Sequence, residues 1–303
     1  SFLGGTITQN VDGVADLTFG GRCSGSLLTT GFHIITAAHC LTNAAGNVDV
    51  GNVTATWQLA GGSTVAVVIP PSNFTIHPNW IGETGAGLLN GNDVAILTVG
   101  GTIPVNAAVP RYDLYLDTDE GFRPTVKSGY GRSGFGNTGH TLSSGTKRAG
   151  LNSYEALGTI FTGGSNTILV GDFDNGLNAN DALGSISVLL AHLGYGDDEV
   201  MIAPGDSGGP TFNNGRIAGS HSFLGSLGQA MQIGLSIPYT LGNVASVFES
   251  RFPGYVPPAD WTAAYDSWAT SVLDTLRGTL AAAGENVADA PSVQAALDRL
   301  RLA

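Results

Sequence analysis

The chain has 303 residues, of which 42% are hydrophobic and 12% are charged, with a formal net charge of −12. This length suits one large all-β unit or two packed barrels, and the acidic balance disfavours phosphate backbones, so no nucleic-acid partner is expected. No apolar run reaches the roughly 18 residues of a membrane helix, so no transmembrane segment is predicted.

Short β-rich segments separated by Gly, Asn, Pro and Ser make up the chain to about residue 250. The clearest segments are VTATWQLA (53–60), TVAVVIP (64–70), DVAILTVG (93–100) and NTILVGDF (166–173). This spacing is typical of antiparallel sandwiches or barrels rather than of βαβ units. The segment PTFNNGRIAGSHSF predicts a hairpin, because Asn213, Asn214 and Gly215 tolerate the positive φ of a tight turn.

The pattern becomes helical from Asp260 onward, where that aspartate can cap the first turn. Apolar residues then recur at three- to four-residue steps, at Trp261, Tyr265, Trp268, Val272, Leu276 and Leu280. A second short helix is predicted over 291–302. The apolar stripe either packs on the body of the protein or docks a partner.

The two cysteines are Cys23 and Cys40. They are either two buried thiols or a disulfide. Their placement at the two ends of one predicted hairpin favours the disulfide, which implies an oxidising compartment.

Three residues point to nucleophilic chemistry. Ser207 lies in APGDSGGP (203–210), but a glycine-rich turn alone is weak support in a chain with 45 glycines. A serine hydroxyl becomes a nucleophile when a base takes its proton and a third group orients that base. His39 follows an apolar strand, and Asp93 begins another, where a buried carboxylate must be paired. Taken alone, Asp93 would be interpreted as a strand-start cap.

The segments CSGSLLTTGFHIITAAHC, NDVAIL and APGDSGGP, in that order, resemble the chymotrypsin-like serine proteases. IHPNW (76–80) and SGYGRSG (128–134) look like two further family segments, and the resemblance covers roughly residues 2–252. It implies an all-β protease domain of two packed antiparallel β-barrels over 1–256. Barrel one is expected over about 1–110 and barrel two over about 111–256, followed by a helical C-terminal extension over 257–303.

The chain also departs from the family pattern. The intervals between the three motifs are long, and most of the excess lies between His140 and Glu199. Several disulfides that are common in animal members are missing from a chain with two cysteines. These features indicate a secreted microbial branch of the family.

The resemblance implies a catalytic triad and an acyl-enzyme intermediate. Ser207 would attack the scissile carbonyl, His39 would act as general base and then acid, and Asp93 would orient the imidazolium. The backbone amides of Gly205 and Ser207 would form the oxyanion hole. This chemistry requires no cofactor.

The resemblance also assigns a disulfide and the substrate contacts. Cys23 would pair with Cys40 and close the histidine loop. The expected substrate-binding residues are Met201, Ile202, His221, Ser222, Phe223 and Leu224. The substrate backbone would pair with 222–224 as an added strand.

The expected primary specificity is non-basic. Trypsin-like members have an aspartate where this chain has Met201, and Leu224 would narrow the pocket entrance, which favours small or medium apolar side chains. His221 stands where glutamyl endopeptidases carry the histidine that binds a substrate carboxylate. Ile202 replaces the hydroxyl that is usual in that branch, so apolar and acidic preferences both stay open.

The N-terminal segment SFLGG matches the mature family start at residues 2–5, with Ser1 in front. We expect Ser1 to follow a removed leader or pro-segment. Asp206 is expected either to accept the mature α-amine or to bond within its own loop.

The segment GDFDNGLNAND (171–181) alternates oxygen-bearing side chains with glycine, which suits a hard cation such as calcium. The candidate ligands are Asp172, Asp174, Asn178 and Asp181. The segment departs from the EF-hand loop, because Gly176 is its fifth residue and Leu183 replaces the final glutamate. The alternatives are a structural calcium site and a solvated, turn-rich loop.

Together these features predict a secreted serine endopeptidase, extracellular or periplasmic, that acts on a protein or peptide substrate. The alternative is a protease-like binding module that has lost catalysis. A lipase or esterase is disfavoured, because the order His, Asp, Ser is wrong for that fold.

Overall fold

The computed structural model describes residues 7–100, 105–136, 139–226 and 245–250. The N-terminal half of these residues forms a seven-stranded antiparallel sheet. Its strands are β1 (Val14–Thr18), β2 (Arg22–Leu27), β3 (His33–Thr36), β4 (Val53–Gln58), β5 (Thr64–Ile69), β6 (Phe74–Ile76) and β7 (Ala95–Thr98). Their order across the sheet is β5-β4-β1-β2-β3-β7-β6.

The second half forms another seven-stranded antiparallel sheet and a small two-stranded one. Its strands are β8 (Thr125–Gly129), β9 (Ser133–Phe135), β10 (Gly139–Leu142), β11 (Arg148–Asn152), β12 (Ala156–Leu157), β13 (Ile168–Gly171), β14 (Pro210–Asn213), β15 (Arg216–Ser226) and β16 (Ala245–Ser250). The large sheet has the order β11-β8-β14-β15-β16-β13-β12, and β9 pairs with β10.

The α-helices in the described ranges are short. They are α1 (Gly85–Leu89) and α2 (Ala182–Ile186), whose N-caps are Thr84 and Asp181. Single 3-10 turns cover Ala38–Cys40, Pro71–Asn73, Gly158–Ile160, Asn178–Asn180, Val188–Leu190 and Gly196–Asp198. Over this described part of the chain, none of the helices has the length and apolar character needed to cross a bilayer.

The core of the first sheet follows from strand alternation. In β4, Val53, Ala55 and Trp57 are fully buried, while the residues between them are partly exposed. Successive side chains of a strand point to opposite faces, so these three residues line the inside of the sheet. The Trp57 indole donates to the Gly13 carbonyl oxygen at 3.0 Å, which satisfies the one polar atom that this side chain buries.

The predicted hairpin at Asn213–Gly215 is confirmed. β14 and β15 pair antiparallel, and the turn between them has φ of 49° at Asn214 and 80° at Gly215. Asparagine and glycine tolerate this left-handed conformation at low cost, which explains why the chain turns here.

The strand content and sheet pairing confirm the prediction of an all-β protein with two antiparallel barrels. The domain boundary at 256 and the helical extension over 257–303 lie outside the described residues and stay predictions.

Candidate active site

His39 and Asp93 come together at the ends of two neighbouring strands. β3 pairs with β7, with Thr36 opposite Ala95, so the turn after β3 lies beside the residues that precede β7. His39 belongs to that turn. Its Nδ1 lies 2.6 Å from Asp93 Oδ2, and its backbone amide donates to Asp93 Oδ1 at 2.8 Å. The two bonds hold the carboxylate in one orientation, which in turn orients the imidazole.

Asp93 is fully buried and receives a third hydrogen bond from the Ser222 hydroxyl of β15. Burial raises the pKa of Asp93, but the charge and hydrogen bonds of His39 and the bond from Ser222 outweigh it, so this pKa lies below its usual range. Burial lowers the pKa of His39, but the charge and hydrogen bond of Asp93 outweigh it, so the pKa of His39 lies above 6.5. The pair is therefore an ionised carboxylate beside a strengthened base.

The other imidazole nitrogen and the Ser207 backbone both lie near the sulfur of Cys40. Cys23 and Cys40 are joined in the predicted disulfide. The Cys40 sulfur lies 3.9 Å from His39 Nε2 and 3.7 Å from the Ser207 carbonyl oxygen. That carbonyl also accepts a hydrogen bond from the Ser24 amide at 2.8 Å. The disulfide sulfur of Cys40 therefore lies close to both the His39 imidazole and the Ser207 backbone.

Glycines on either side of Ser207 make its turn possible. Gly205 and Gly208 have φ of 102° and 78°, values that favour glycine. A Cβ on Gly208 would lie 2.1 Å from Thr36 Oγ1 and 2.4 Å from the Ser24 carbonyl oxygen. The turn therefore packs directly against the end of β3 that leads to His39.

The amides of Gly205 and Ser207 are available to a ligand. Within the described ranges, neither amide donates a hydrogen bond to another protein group. Buried or partly buried amides are normally paired, so two free amides in one strained turn fit an anion-binding role.

A cleft lies next to this turn. Its lining includes Met201, Ile202, His221, Lys127, Arg132 and Arg148. The first three are residues expected to contact substrate. The three basic residues were not expected from the sequence to line this cleft, because they come from β8, β11 and the segment after β8, which are distant in the chain from Met201 and His221.

His221 is 1% exposed and is held by the protein on both sides. Its Nε2 lies 3.2 Å from Thr211 Oγ1, and its Nδ1 lies 3.2 Å from the Asp206 carbonyl oxygen. The Lys127 ammonium also contacts Thr211 Oγ1, at 3.3 Å. The Thr211 hydroxyl therefore contacts both the Lys127 ammonium and the His221 imidazole, and these two residues line the cleft.

The strand β15 offers an edge for an extended peptide. Its pairing with β14 ends at Ser220, opposite Pro210, while pairing with β16 continues to Ser226. Beyond Ser220, β14 no longer runs beside β15, and the described strand that pairs with Phe223 and Leu224 is β16. Phe223 and Leu224 lie on this segment, and Leu224 is 37% exposed.

The comparisons with known proteins agree with this geometry. The family model described as Trypsin matches residues 4–245. The chain belongs to the trypsin family. Chymotrypsin-C of Mus musculus is 32% identical to it over 123 residues, which are 39% of this chain and 41% of that protein. The match thus spans less than half the length of this trypsin-family relative.

Asp206 is partly buried beside the serine of this trypsin-family chain. Its carboxylate accepts from the Gly131 amide at 2.7 Å and from the Ala203 amide at 2.9 Å. Burial raises the pKa of Asp206 to about 6, although these backbone bonds and the charge of Arg148 oppose the rise. Ser1 lies outside the described residues, so pairing with an α-amine stays a prediction.

The acidic loop that the sequence singled out is folded against β13. Asp172, Asp174 and Asp181 are buried, whereas Asn178 is exposed. The structure adds Glu155, which the sequence gave no reason to choose, because it is distant in the chain and reaches the loop through the pairing of β12 with β13.

Sequence reasoning also missed one role within the triad region of this trypsin-family chain. Ser222 was expected as a substrate-binding residue, yet its hydroxyl donates to Asp93, which is 129 residues away in the chain. No local pattern marks such a contact. The signal available was indirect, since a buried aspartate at a strand start needs more donors than one histidine.

Proposed function

We propose that this chain is a serine endopeptidase that hydrolyses peptide bonds through an acyl-enzyme formed on Ser207. The observation that carries the proposal is the pair of His39 with the buried carboxylate of Asp93, next to a disulfide sulfur that contacts both His39 Nε2 and the Ser207 carbonyl oxygen. A histidine oriented by a buried carboxylate beside a serine is the arrangement that activates a hydroxyl.

The proposed reaction has two halves. Ser207 Oγ attacks the scissile carbonyl carbon, and its proton moves to His39 Nε2. The carbonyl oxygen becomes an oxyanion that the amides of Gly205 and Ser207 stabilise. The C–N bond then breaks, the amine leaves with the proton from His39, and water repeats the sequence on the ester to release the acid.

Asp93 stabilises the imidazolium that forms in each half. Its carboxylate is ionised and fixed by three donors, so no reorganisation is needed when the positive charge appears on His39. The raised pKa of His39 adds to its strength as a base, at the cost of protonation in mildly acidic solution.

We also propose a non-basic primary specificity. The support is the cleft, in which Met201 and Ile202 are apolar and the basic residues Lys127, Arg132 and Arg148 outnumber the one acid, Asp206. A substrate Lys or Arg would meet like charges there, whereas an apolar side chain would meet Met201 and an acidic one would meet opposite charges. The preference between these two classes is left to the substrate series below.

A secreted location, extracellular or periplasmic, is part of the proposal. The Cys23–Cys40 disulfide supports it, since disulfides persist mainly in oxidising compartments.

The activity is tested by labelling with a serine-directed phosphonate and by peptide hydrolysis. The wild type is expected to label and to cleave, and Ser207→Ala is expected to lose labelling and several orders of magnitude in turnover. Ser143→Ala is the matched control, because Ser143 is exposed and outside the cleft lining. A folded wild type that neither labels nor cleaves would favour the silent binding module instead.

The specificity is tested with peptides that differ only at the residue before the cut bond. We expect slow cleavage after Lys or Arg and faster cleavage after an apolar or acidic residue. Fastest cleavage after Lys or Arg would show that the cleft is not the primary pocket.

A further inference from the structure

Four carboxylates meet in the interior, away from the catalytic residues. Glu155 precedes β12, Asp172 follows β13, Asp174 lies two residues later, and Asp181 is the N-cap of α2. One oxygen from each lies within 4.8 Å of the others. All four side chains are at least nine-tenths buried, with exposures of 4%, 0%, 2% and 3%.

Several oxygens of this cluster have no partner. Glu155 Oε2, Asp172 Oδ1 and both oxygens of Asp174 are buried without a hydrogen bond to any described residue. A carboxylate oxygen left without a donor in the interior is unfavourable, so each one requires an explanation. Four of them converging in one place indicate a missing partner that is shared.

The cluster is held in place by the start of α2. The Leu183 amide donates to Asp172 Oδ2 at 2.7 Å, and the Gly184 amide donates to Asp181 Oδ1 at 2.5 Å. Each of these two carboxylates is thereby fixed through one oxygen. The remaining oxygen of Asp172 is left for another ligand.

The charge of the cluster is not balanced by any basic side chain in the described ranges. Within the described part of the chain, none of the four carboxylates forms an ion pair with Lys, Arg or His. Burial, followed by the charges of Asp172 and its neighbours, raises the pKa of Glu155 to about 10 and that of Asp174 to about 9. These rises measure how unfavourable the ionised cluster is without a cation.

We propose that Glu155, Asp172, Asp174 and Asp181 bind one calcium ion. Calcium takes six to eight oxygen ligands with flexible geometry, and carboxylates are its preferred protein ligands. A histidine, His192, also lies within 4.8 Å of Glu155 and Asp174 and would suit zinc. However, His192 Nδ1 already accepts from the Gly194 amide at 3.1 Å, and the larger group is entirely carboxylate.

The ion would tie the long segment between β13 and β14 to the body of the protein. Towards the end of that segment, the Glu199 carboxylate accepts from Asn152 Nδ2 at 2.9 Å and from the Tyr195 amide at 2.6 Å. Met201 and Ile202, which follow Glu199 by two and three residues, line the cleft. Calcium therefore stabilises the segment that carries one wall of the cleft.

The site is independent of the serine chemistry, so its test does not require activity. Protein freed of metal with a chelator is titrated with calcium chloride by calorimetry and by thermal unfolding. We expect one ion per chain and a rise in Tm of about 5–10 °C at a hundredfold excess over the dissociation constant.

The variant Asp174→Asn distinguishes a calcium site at the cluster from an acidic loop that binds no cation. The variant replaces a carboxyl group that is unfavourable in the metal-free cluster with a neutral amide, so its Tm in chelator is expected to equal or exceed that of the wild type. It is also expected to lose the calcium-dependent rise. Asp197→Asn is the matched control, because Asp197 is an exposed acid of the same segment outside the cluster, and it should keep the full rise. Glu155→Gln serves as the second variant if Asp174→Asn does not fold.

Three results would overturn the proposal. One is a wild-type Tm that is equal in chelator and in excess calcium. Another is a variant of the cluster that keeps the full calcium response, which would place the ion elsewhere. The third is saturation by zinc but not calcium, with the response lost in His192→Ala.

Discussion

Replacing Gly208 with alanine tests how closely the Ser207 turn packs against β3, the strand that precedes the turn containing His39. The residue has φ of 78°, which costs an alanine about 1–2 kcal/mol. The added Cβ would also lie 2.1 Å from Thr36 Oγ1 and 2.4 Å from the Ser24 carbonyl oxygen. Since the second contact is with backbone, the clash is not relieved by a side-chain rotation, and overpacking of this kind costs about 1–3 kcal/mol more.

We therefore expect Gly208→Ala to lose about 2–5 kcal/mol of unfolding free energy, measured by denaturant titration. Gly61→Ala is the control, because Gly61 has φ of 89° but no atom within 4 Å of an added Cβ, so it should lose only about 1–2 kcal/mol. Phosphonate labelling of folded Gly208→Ala should also slow by about 10²-fold, since a shift of the order of 1 Å misplaces the nucleophile. Equal losses of stability in the two variants would refute the packing argument.

Three further predictions concern the same region. The acid limb of kcat/KM should have its midpoint above 6.5, because only the neutral imidazole of His39 accepts a proton and Asp93 raises its pKa; a pH series with a midpoint at or below 6.5 would contradict this. Ser222→Ala should lose about 1.5–3 kcal/mol of unfolding free energy but less than about tenfold in kcat, because Asp93 stays ionised throughout the reaction; a loss of activity as large as that of Asp93→Asn would be inconsistent with a positioning role. Replacing Cys23 and Cys40 together with serine should lose about 3 kcal/mol by the loop-entropy relation, measured by thermal unfolding, and unchanged stability would argue against it.

The parts of the fold that sequence reasoning reached are those with local signals. The strand β4, which lies in the predicted segment VTATWQLA, and the turn at Asn214 and Gly215 are encoded within a few residues, and the structure forms both as expected. The pairing of His39 with Asp93 was expected from motif order, and the structure forms it through the adjacency of β3 and β7.

The contacts that sequence reasoning missed are those that depend on long-range pairing. Glu155 joins the acidic cluster because β12 pairs with β13, and the sequence of 171–181 does not predict this contact. The basic lining of the cleft arises in the same way, from Lys127 on β8 and Arg148 on β11. Such neighbours are fixed by sheet order, which a single sequence does not display.

The hydrogen bond from Ser222 to Asp93 joins the two sheets at the most buried charge of the site. Asp93 belongs to the first sheet's part of the chain and Ser222 to the second sheet, so neither half alone can satisfy the carboxylate. During folding, Asp93 would lack one of its three hydrogen-bond donors until β15 packs beside it. Every state in which the second sheet has not packed against the first lacks the hydrogen bond from Ser222 to Asp93. The carboxylate that orients the base therefore also favours the fully assembled molecule over incompletely assembled ones.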